Sequence, residues 1–224
     1  MTQATALDPN AVPKADLPAG PTRRIDISWM ITTVLLAAMS LSFAIIHLRH
    51  WLETGRLAGL AFAVMELVLV GVFIARRRPL VASRRPIDWV AALVGGYAAL
   101  LFRPADHVVL GLGAVWAAAE ALAMISAAAC IFRLGRSFGV VAANRGVKVK
   151  GPYRLLRHPM YACYVLAQLA YLLGSMSAVN AAILVVAVGG QVARIRSEER
   201  LLCADPTYRA YCERVRYRLI PRIY

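Results

Sequence analysis

Residues 151–161 read GPYRLLRHPMY, a basic run opened by glycine, closed by proline and followed by an apolar stretch. Pro159 lacks a backbone donor and has a fixed φ, which suits the first position of a helix, and it pushes His158 towards an extended conformation. The spacing predicts a helix that begins at Pro159, with His158 just outside its positive end. Free N–H groups and the helix dipole make that end a seat for an anion such as a carboxylate. Gly151 and Pro152 form the turn that leads in, and Tyr153 and Tyr161 supply aromatic faces at the depth of a membrane interface. Arg154 and Arg157 suit the phosphate layer of a cytoplasmic leaflet equally well, so that alone the run would serve as an interfacial anchor.

A second group lies in QVARIRSEERLL, residues 191–202. Arg194 and Glu198 are four residues apart and share one helix face, while Glu199 turns to the side. On a soluble helix such a pair is a solvated ion pair worth about 0.2–1 kcal/mol. Here it stands at the foot of an apolar stretch. Arg194 could hold a carboxylate, and His158, Tyr161 and Glu199 are the nearby groups able to accept a proton.

The elements that hold these groups are apolar. The chain has 224 residues, 60% of them hydrophobic and only 17% charged, with mean hydropathy +0.60. These values fit a membrane protein better than one or two soluble domains. Six stretches approach the length needed to cross a bilayer: 28–48, 57–75, 87–102, 108–134, 160–174 and 178–195. The third and fifth are short, and the fourth is long enough to tilt. The small turn around Gly174, Ser175 and Ser177 predicts a tight hairpin of the last two, which brings the 151–161 run and the Arg194 group to the same side.

Of the 26 Lys and Arg residues, all but Arg49, Arg56 and Arg103 fall in segments on the N-terminal side of a chain that crosses six times. The positive-inside bias then places both termini in the cytoplasm. It also accounts for the net charge of +14, which calls for no nucleic acid, and no aromatic-basic platform for single strands is present. The expected class is an all-α polytopic membrane protein. It has a polar tail at 1–27, a four-helix membrane region at 28–134 and a core at 135–224. The tail lacks the apolar core of a signal peptide and reads as disordered, and the compact chain without sorting signals fits a bacterial inner membrane.

Cys130, Cys163, Cys203 and Cys212 have neither disulfide-framework nor zinc spacing and read as reduced, with no metal implied. Glu66 and Glu120 fall within predicted spans, where an ionisable side chain either serves a function or pairs with a neighbouring helix. His47 and His107 lie at the outer ends of spans and read as interfacial.

The GPYRLLRHPMY run, the helical hairpin, RIRSEERLL and the tail YRAYCERVRYRLIPRIY together resemble the isoprenylcysteine carboxyl methyltransferase and phospholipid methyltransferase group of integral membrane enzymes. The resemblance covers about residues 130–224. It implies an S-adenosylmethionine site at the cytoplasmic side, held by Tyr153, His158, Pro159, Met160, Tyr161 and Glu198, with Arg145, Gly146, Val147 and Lys148 from the preceding loop. It also implies that Arg194 contacts the methyl acceptor, a lipophilic molecule entering from the membrane. Arg194 and Glu199 are the catalytic candidates. A carboxylate at the Pro159 helix start and an ammonium at Glu198 agree with that placement. No soluble-type glycine-rich nucleotide turn competes, since Gly111 and Gly113 follow no strand.

Two departures from the family pattern bear on the acceptor. The loop reads NRGVKVKG, with Gly146 where isoprenylcysteine enzymes carry a histidine, and the stretch from Glu199 to Tyr208 is short, with Asp205 and Pro206 replacing Phe-Gly. Carboxyl O-methylation, phospholipid N-methylation and thiol S-methylation all remain open. The ending YCERVRYRLIPRIY also resembles membrane sterol reductases, which use NADPH, and an inactive scaffold of the same fold is a third reading.

Overall fold

The computed structural model describes residues 27–224; the predicted N-terminal tail lies outside them. Seven helices form the described chain: α1 (Ile27–Thr54), α2 (Leu57–Ala75), α3 (Pro86–Tyr97), α4 (Gly113–Leu134), α5 (Pro159–Gly174), α6 (Ala178–Leu202) and α7 (Pro206–Arg214). Four segments are long and apolar enough to span a bilayer: Trp29–Thr54, Leu57–Ala75, Gly113–Ser137 and Ala178–Leu202. Two more, Pro86–Leu101 and Pro159–Gly174, are apolar but shorter.

Large apolar side chains such as Ile31, Val34, Leu35, Leu122 and Val185 point outwards. In water this would be costly, but in lipid it is the expected outer surface. The chain is therefore a helical membrane protein.

Local chemistry explains where the helices start. Pro159 and Pro206 occupy the first turns of α5 and α7, where the missing N–H costs nothing. Ser177 caps α6 by accepting from the Asn180 amide at 3.1 Å, and Asp205 caps α7 by accepting from the Thr207 amide at 2.8 Å. The fourth apolar stretch differs from expectation. Its first residues make a 3₁₀ turn at Val109–Gly111 with Leu110 at φ 56°, so the helix begins only at Gly113. The third stretch likewise tightens from α-helix to 3₁₀ over Ala98–Leu101.

α1, α2, α4 and α5 pack in a row, and α3 packs against α6. Phe73, Ile131, Tyr161 and Ile195 are at the centre of the main core. The α3–α6 contact is a backbone crossing. A Cβ on Gly95 would lie 2.8 Å from Gly190 C, and one on Gly190 would lie 2.6 Å from Gly95 N. Small residues permit that approach, as is common between membrane helices.

The α5–α6 hairpin differs from the tight pair expected. Its turn is short, yet α5 leans on α4 and α6 on α3, so the two helices diverge and leave a space between the two groups. A two-residue antiparallel bridge, Val81–Ala82 with Ala143–Asn144, was also unexpected in an all-α chain. With the Arg77 amide donating to Arg136 O at 2.8 Å, it ties the α2–α3 loop to the loop after α4.

At the opposite end, Asn180 bonds both the N–H and C=O of Arg103, and the Met176 amide donates to His107 O. Segments grouped by charge in the sequence are thus also grouped in space.

Candidate active site

The start of α5 and the end of α6 meet at the basic end of the bundle. His158 Nε2 lies 3.3 Å from Glu199 Oε1, and His158 Nδ1 lies 3.8 Å from Glu198 Oε2. His158 is the non-helical residue before α5, at φ −129° and ψ 55°, as Pro159 requires. Its amide donates to Arg218 O at 3.0 Å, and the Arg157 amide donates to Tyr217 O at 2.9 Å. The C-terminal tail thereby runs along the RHP segment and covers it.

The two glutamates have separate environments. Glu199 is buried, with Oε1 2.9 Å from Arg157 Nη1 and Oε2 2.6 Å from Arg218 Nε. Glu198 accepts from the Tyr161 hydroxyl at 2.5 Å and from Arg194 Nε at 3.3 Å. Arg194 is only 5% exposed, stacks over the Tyr161 ring at 5.2 Å and donates from Nη2 to Gly139 O at 3.0 Å. It is a buried, three-way anchored guanidinium and not a solvated partner of Glu198. Such a fork is within the reach of arginine and beyond that of lysine.

Arg157 and the two aromatic residues of the motif correct the interfacial reading. Arg157 is enclosed against Glu199, Cys212 Sγ and Arg216 O. Tyr153 and Tyr161 are both buried in protein. Arg154 remains exposed, as does Leu155 beside it.

A cavity of about 100 Å³ opens beside this cluster, between the 134–148 loop, the start of α5 and α7. Of the predicted cofactor residues, Arg145, Gly146, Val147, Lys148, Tyr153, His158, Met160, Tyr161 and Glu198 all line it. Pro159 does not line it and acts as the first residue of α5. Burial, with Arg76 nearby, lowers the Arg145 guanidinium to about 10, and Glu198 pulls it back up. It remains a cation at neutral pH. Burial raises the phenols of Tyr153, Tyr208 and Tyr211, which stay protonated and able to donate.

Tyr208 and Tyr211 line the same cavity but were read only as part of a tail motif. Their spacing of three on α7 was the available signal. The Tyr211 hydroxyl donates to Tyr153 O at 2.7 Å, while the enclosed Tyr208 hydroxyl and Arg157 Nε have no partner among the described residues.

Gly146 sits at φ +95° and its amide donates to Asn144 Oδ1 at 2.9 Å. A histidine in its place would be strained. The Asp205 and Pro206 departure also has a local role. Asp205 both caps α7 and accepts from Asn144 Nδ2 at 2.9 Å, pinning α7 to the loop.

A second cavity, of about 300 Å³, lies between the row of α1, α2, α4 and α5 on one side and α3 on the other, with Arg194 as its one wall from α6. Its walls include Phe43, Phe62, Met65 and Met124, together with Glu66, Glu120 and Gln168. His47 also lines it, stacked on Phe62 at 4.9 Å. Arg194 closes its basic end, and Phe138 is a wall of both cavities.

Residues 115–204 match the model of the isoprenylcysteine carboxyl methyltransferase (ICMT) family. The match runs from α4 through α6 and contains the RHP segment, Arg194 and both glutamates; Tyr208, Tyr211 and Arg218 lie beyond it. No curated protein matches the chain. The matched part is similar to that methyltransferase family and lies within a helical membrane protein, and it includes Phe138, the residue that lines both cavities. The ICMT match also covers both the family-like RHP run and the divergent 145–150 loop.

Proposed function

We propose that the chain is an S-adenosylmethionine-dependent methyltransferase whose acceptor is a lipophilic molecule drawn from the bilayer. The observation that carries this reading is the position of Arg194. It borders the apolar cavity while bonding Glu198, which borders the loop cavity, so a single side-chain contact separates a polar site from a membrane-embedded one.

The residues around the loop cavity fit the cofactor. Glu198 would receive the ammonium, Arg145 and Lys148 would face the carboxylate, and Tyr153, Tyr208 and Tyr211 would enclose the nucleoside. The unpartnered Tyr208 hydroxyl is the donor that a polar ligand would satisfy. When bound, S-adenosylmethionine supplies an electrophilic methyl group on a sulfonium. The chain then has to bring an acceptor atom into line and exclude water, and positioning does most of the work. Arg194 orients the acceptor from the apolar side. Phe138 and Tyr161 keep the boundary dry. Glu199, with its oxygens held by Arg157, His158 and Arg218, positions the RHP segment and the tail, and His158 or Tyr161 would carry the proton of an acceptor that needs to lose one.

The loop cavity is smaller than the roughly 300–1,000 Å³ of small-molecule sites. A nucleoside-sized ligand would therefore need the 134–150 loop to open for entry and to settle back over it once bound. Limited proteolysis of that loop should slow in the presence of cofactor. The site faces the cytosol in this reading, with six crossings that include α3 and α5, both termini inside and the chain in a bacterial inner membrane.

The deciding experiment is equilibrium binding of S-adenosylmethionine to the detergent-purified protein and to Glu198→Ala, with NADPH as competitor. Binding that the variant loses and NADPH leaves unchanged is expected. A folded protein that binds NADPH and no S-adenosylmethionine would make it a reductase instead.

A further inference from the structure

The apolar cavity contains more polar chemistry than a hydrocarbon acceptor can satisfy. Glu66 and Glu120 are 8% and 7% exposed, on α2 and α4, and both line it. Among the described residues neither has a cation within 4 Å. Ser40 hydrogen-bonds Glu66, and Arg56 acts on Glu120 only from farther away.

Gln168 provides an independent observation from a third helix. It is 8% exposed, lines the same cavity, and its Oε1 is enclosed with no hydrogen-bond partner. Gln168 follows Tyr164 by four residues and precedes Tyr171 by three, so the three share the face of α5 that continues upwards from Tyr161. At 1.5 Å per residue, Gln168 stands about 10 Å deeper than Tyr161.

All three groups present acceptor oxygens to one space. A chain of methylenes lying there would leave Glu120 and the Gln168 carbonyl desolvated without a close partner, and Glu66 with only Ser40, which is costly in a low-dielectric interior.

We propose that the acceptor is a lipophilic amine, whose nitrogen is received by Glu66, Glu120 and Gln168 while its apolar body lies against Phe62, Met65 and Met124. This rests on the reading of the cavity as the acceptor site. The amine is a recognition group, and the methyl-accepting atom is the one that reaches Arg194. An ammonium supplies several N–H donors and a positive charge at the end of the pocket away from Arg194, where Glu66 and Glu120 have no ion-pair partner among the described residues, and an alcohol or a carboxylate supplies fewer or none.

The test uses the purified protein in phosphatidylcholine nanodiscs at neutral pH, with octylamine, octan-1-ol and octanoate as probes of equal chain length. Thermal shifts give the apparent affinity of each. Octylamine should bind about tenfold more tightly than octan-1-ol or octanoate, consistent with a charge-assisted hydrogen bond. Glu66→Gln and Glu120→Gln should each remove most of that preference, and Gln168→Leu should reduce it.

S-adenosylmethionine binding in the same preparations reports folding and separates the two readings. Equal affinity for the three probes, or an amine preference that survives all three substitutions, overturns the amine site while leaving the methyltransferase reading standing. An amine preference without S-adenosylmethionine binding overturns the methyltransferase reading alone.

Discussion

Glu199 is held by three basic side chains, Arg157 and His158 from the GPYRLLRHPMY run and Arg218 from the C-terminal tail. Replacing Glu199 with Gln leaves Arg157 enclosed without its anion, and breaking a buried pair from one side costs about 3 kcal/mol. Thermal unfolding in detergent should show that loss, and Glu199→Asp should recover part of it. Arg218 is partly exposed, so Arg218→Ala should cost less, about 1 kcal/mol. Arg194 makes a different prediction because its planar fork does three things at once. Arg194→Lys keeps the charge but cannot stack on Tyr161 and reach both Glu198 and Gly139 O. Turnover should fall by about tenfold or more while S-adenosylmethionine affinity changes little, measured as kcat against the cofactor Kd. The Arg194–Glu198 contact was legible from spacing of four on a helix. The Arg218–Glu199 contact was not, because no periodicity links a tail residue to a helix end.

The elements that hold the site depend on two close fits. Gly95 and Gly190 let α3 and α6 touch through their backbones, and a methyl group at either has no room. Gly190→Ala should force the helices apart, at a cost of about 1–3 kcal/mol for overpacking, and lower the Tm of the purified protein. The second fit is α7 on the loop. Burial pushes the Asp205 carboxyl up, but bonds from Asn144 and Thr207 more than offset this and hold it below the usual value. A depressed carboxyl contributes stability that is present above its unfolded value of about 3.9 and lost as pH falls through the lower folded value. Asp205→Ala should therefore lower the Tm at neutral pH, by the equivalent of about 1 kcal/mol for the cap, and the gap from wild type should narrow in strong acid. The helix start at Pro159 was readable from local chemistry, and the Asp205–Pro206 pair carries the same kind of signal for α7. The late start of α4 at Gly113 was not, since the left-handed Leu110 carries no sequence mark.

At the scale of the whole molecule, the charge distribution and the folded contacts agree on two ends. Single cysteines placed at Arg56 or Arg103 should react with a membrane-impermeant maleimide from the outer face of intact cells. Cysteines at Arg78 or Arg136 should react only in inverted vesicles. The reverse pattern would turn the proposed topology over. By itself the sequence determined the membrane character, the grouping of the basic residues along the chain and the local motif at the start of α5. Those properties follow from composition and from interactions within a turn or two of chain. Only the tertiary structure decided that α5 and α6 part company, that a cavity opens between the row of α1, α2, α4 and α5 and the facing α3, and that Glu66, Glu120 and Gln168 from three helices face the same space. Helix orientation about its own axis is set by packing against neighbours, and an apolar helix buried in lipid on one side and protein on the other carries little amphipathic signal to reveal it.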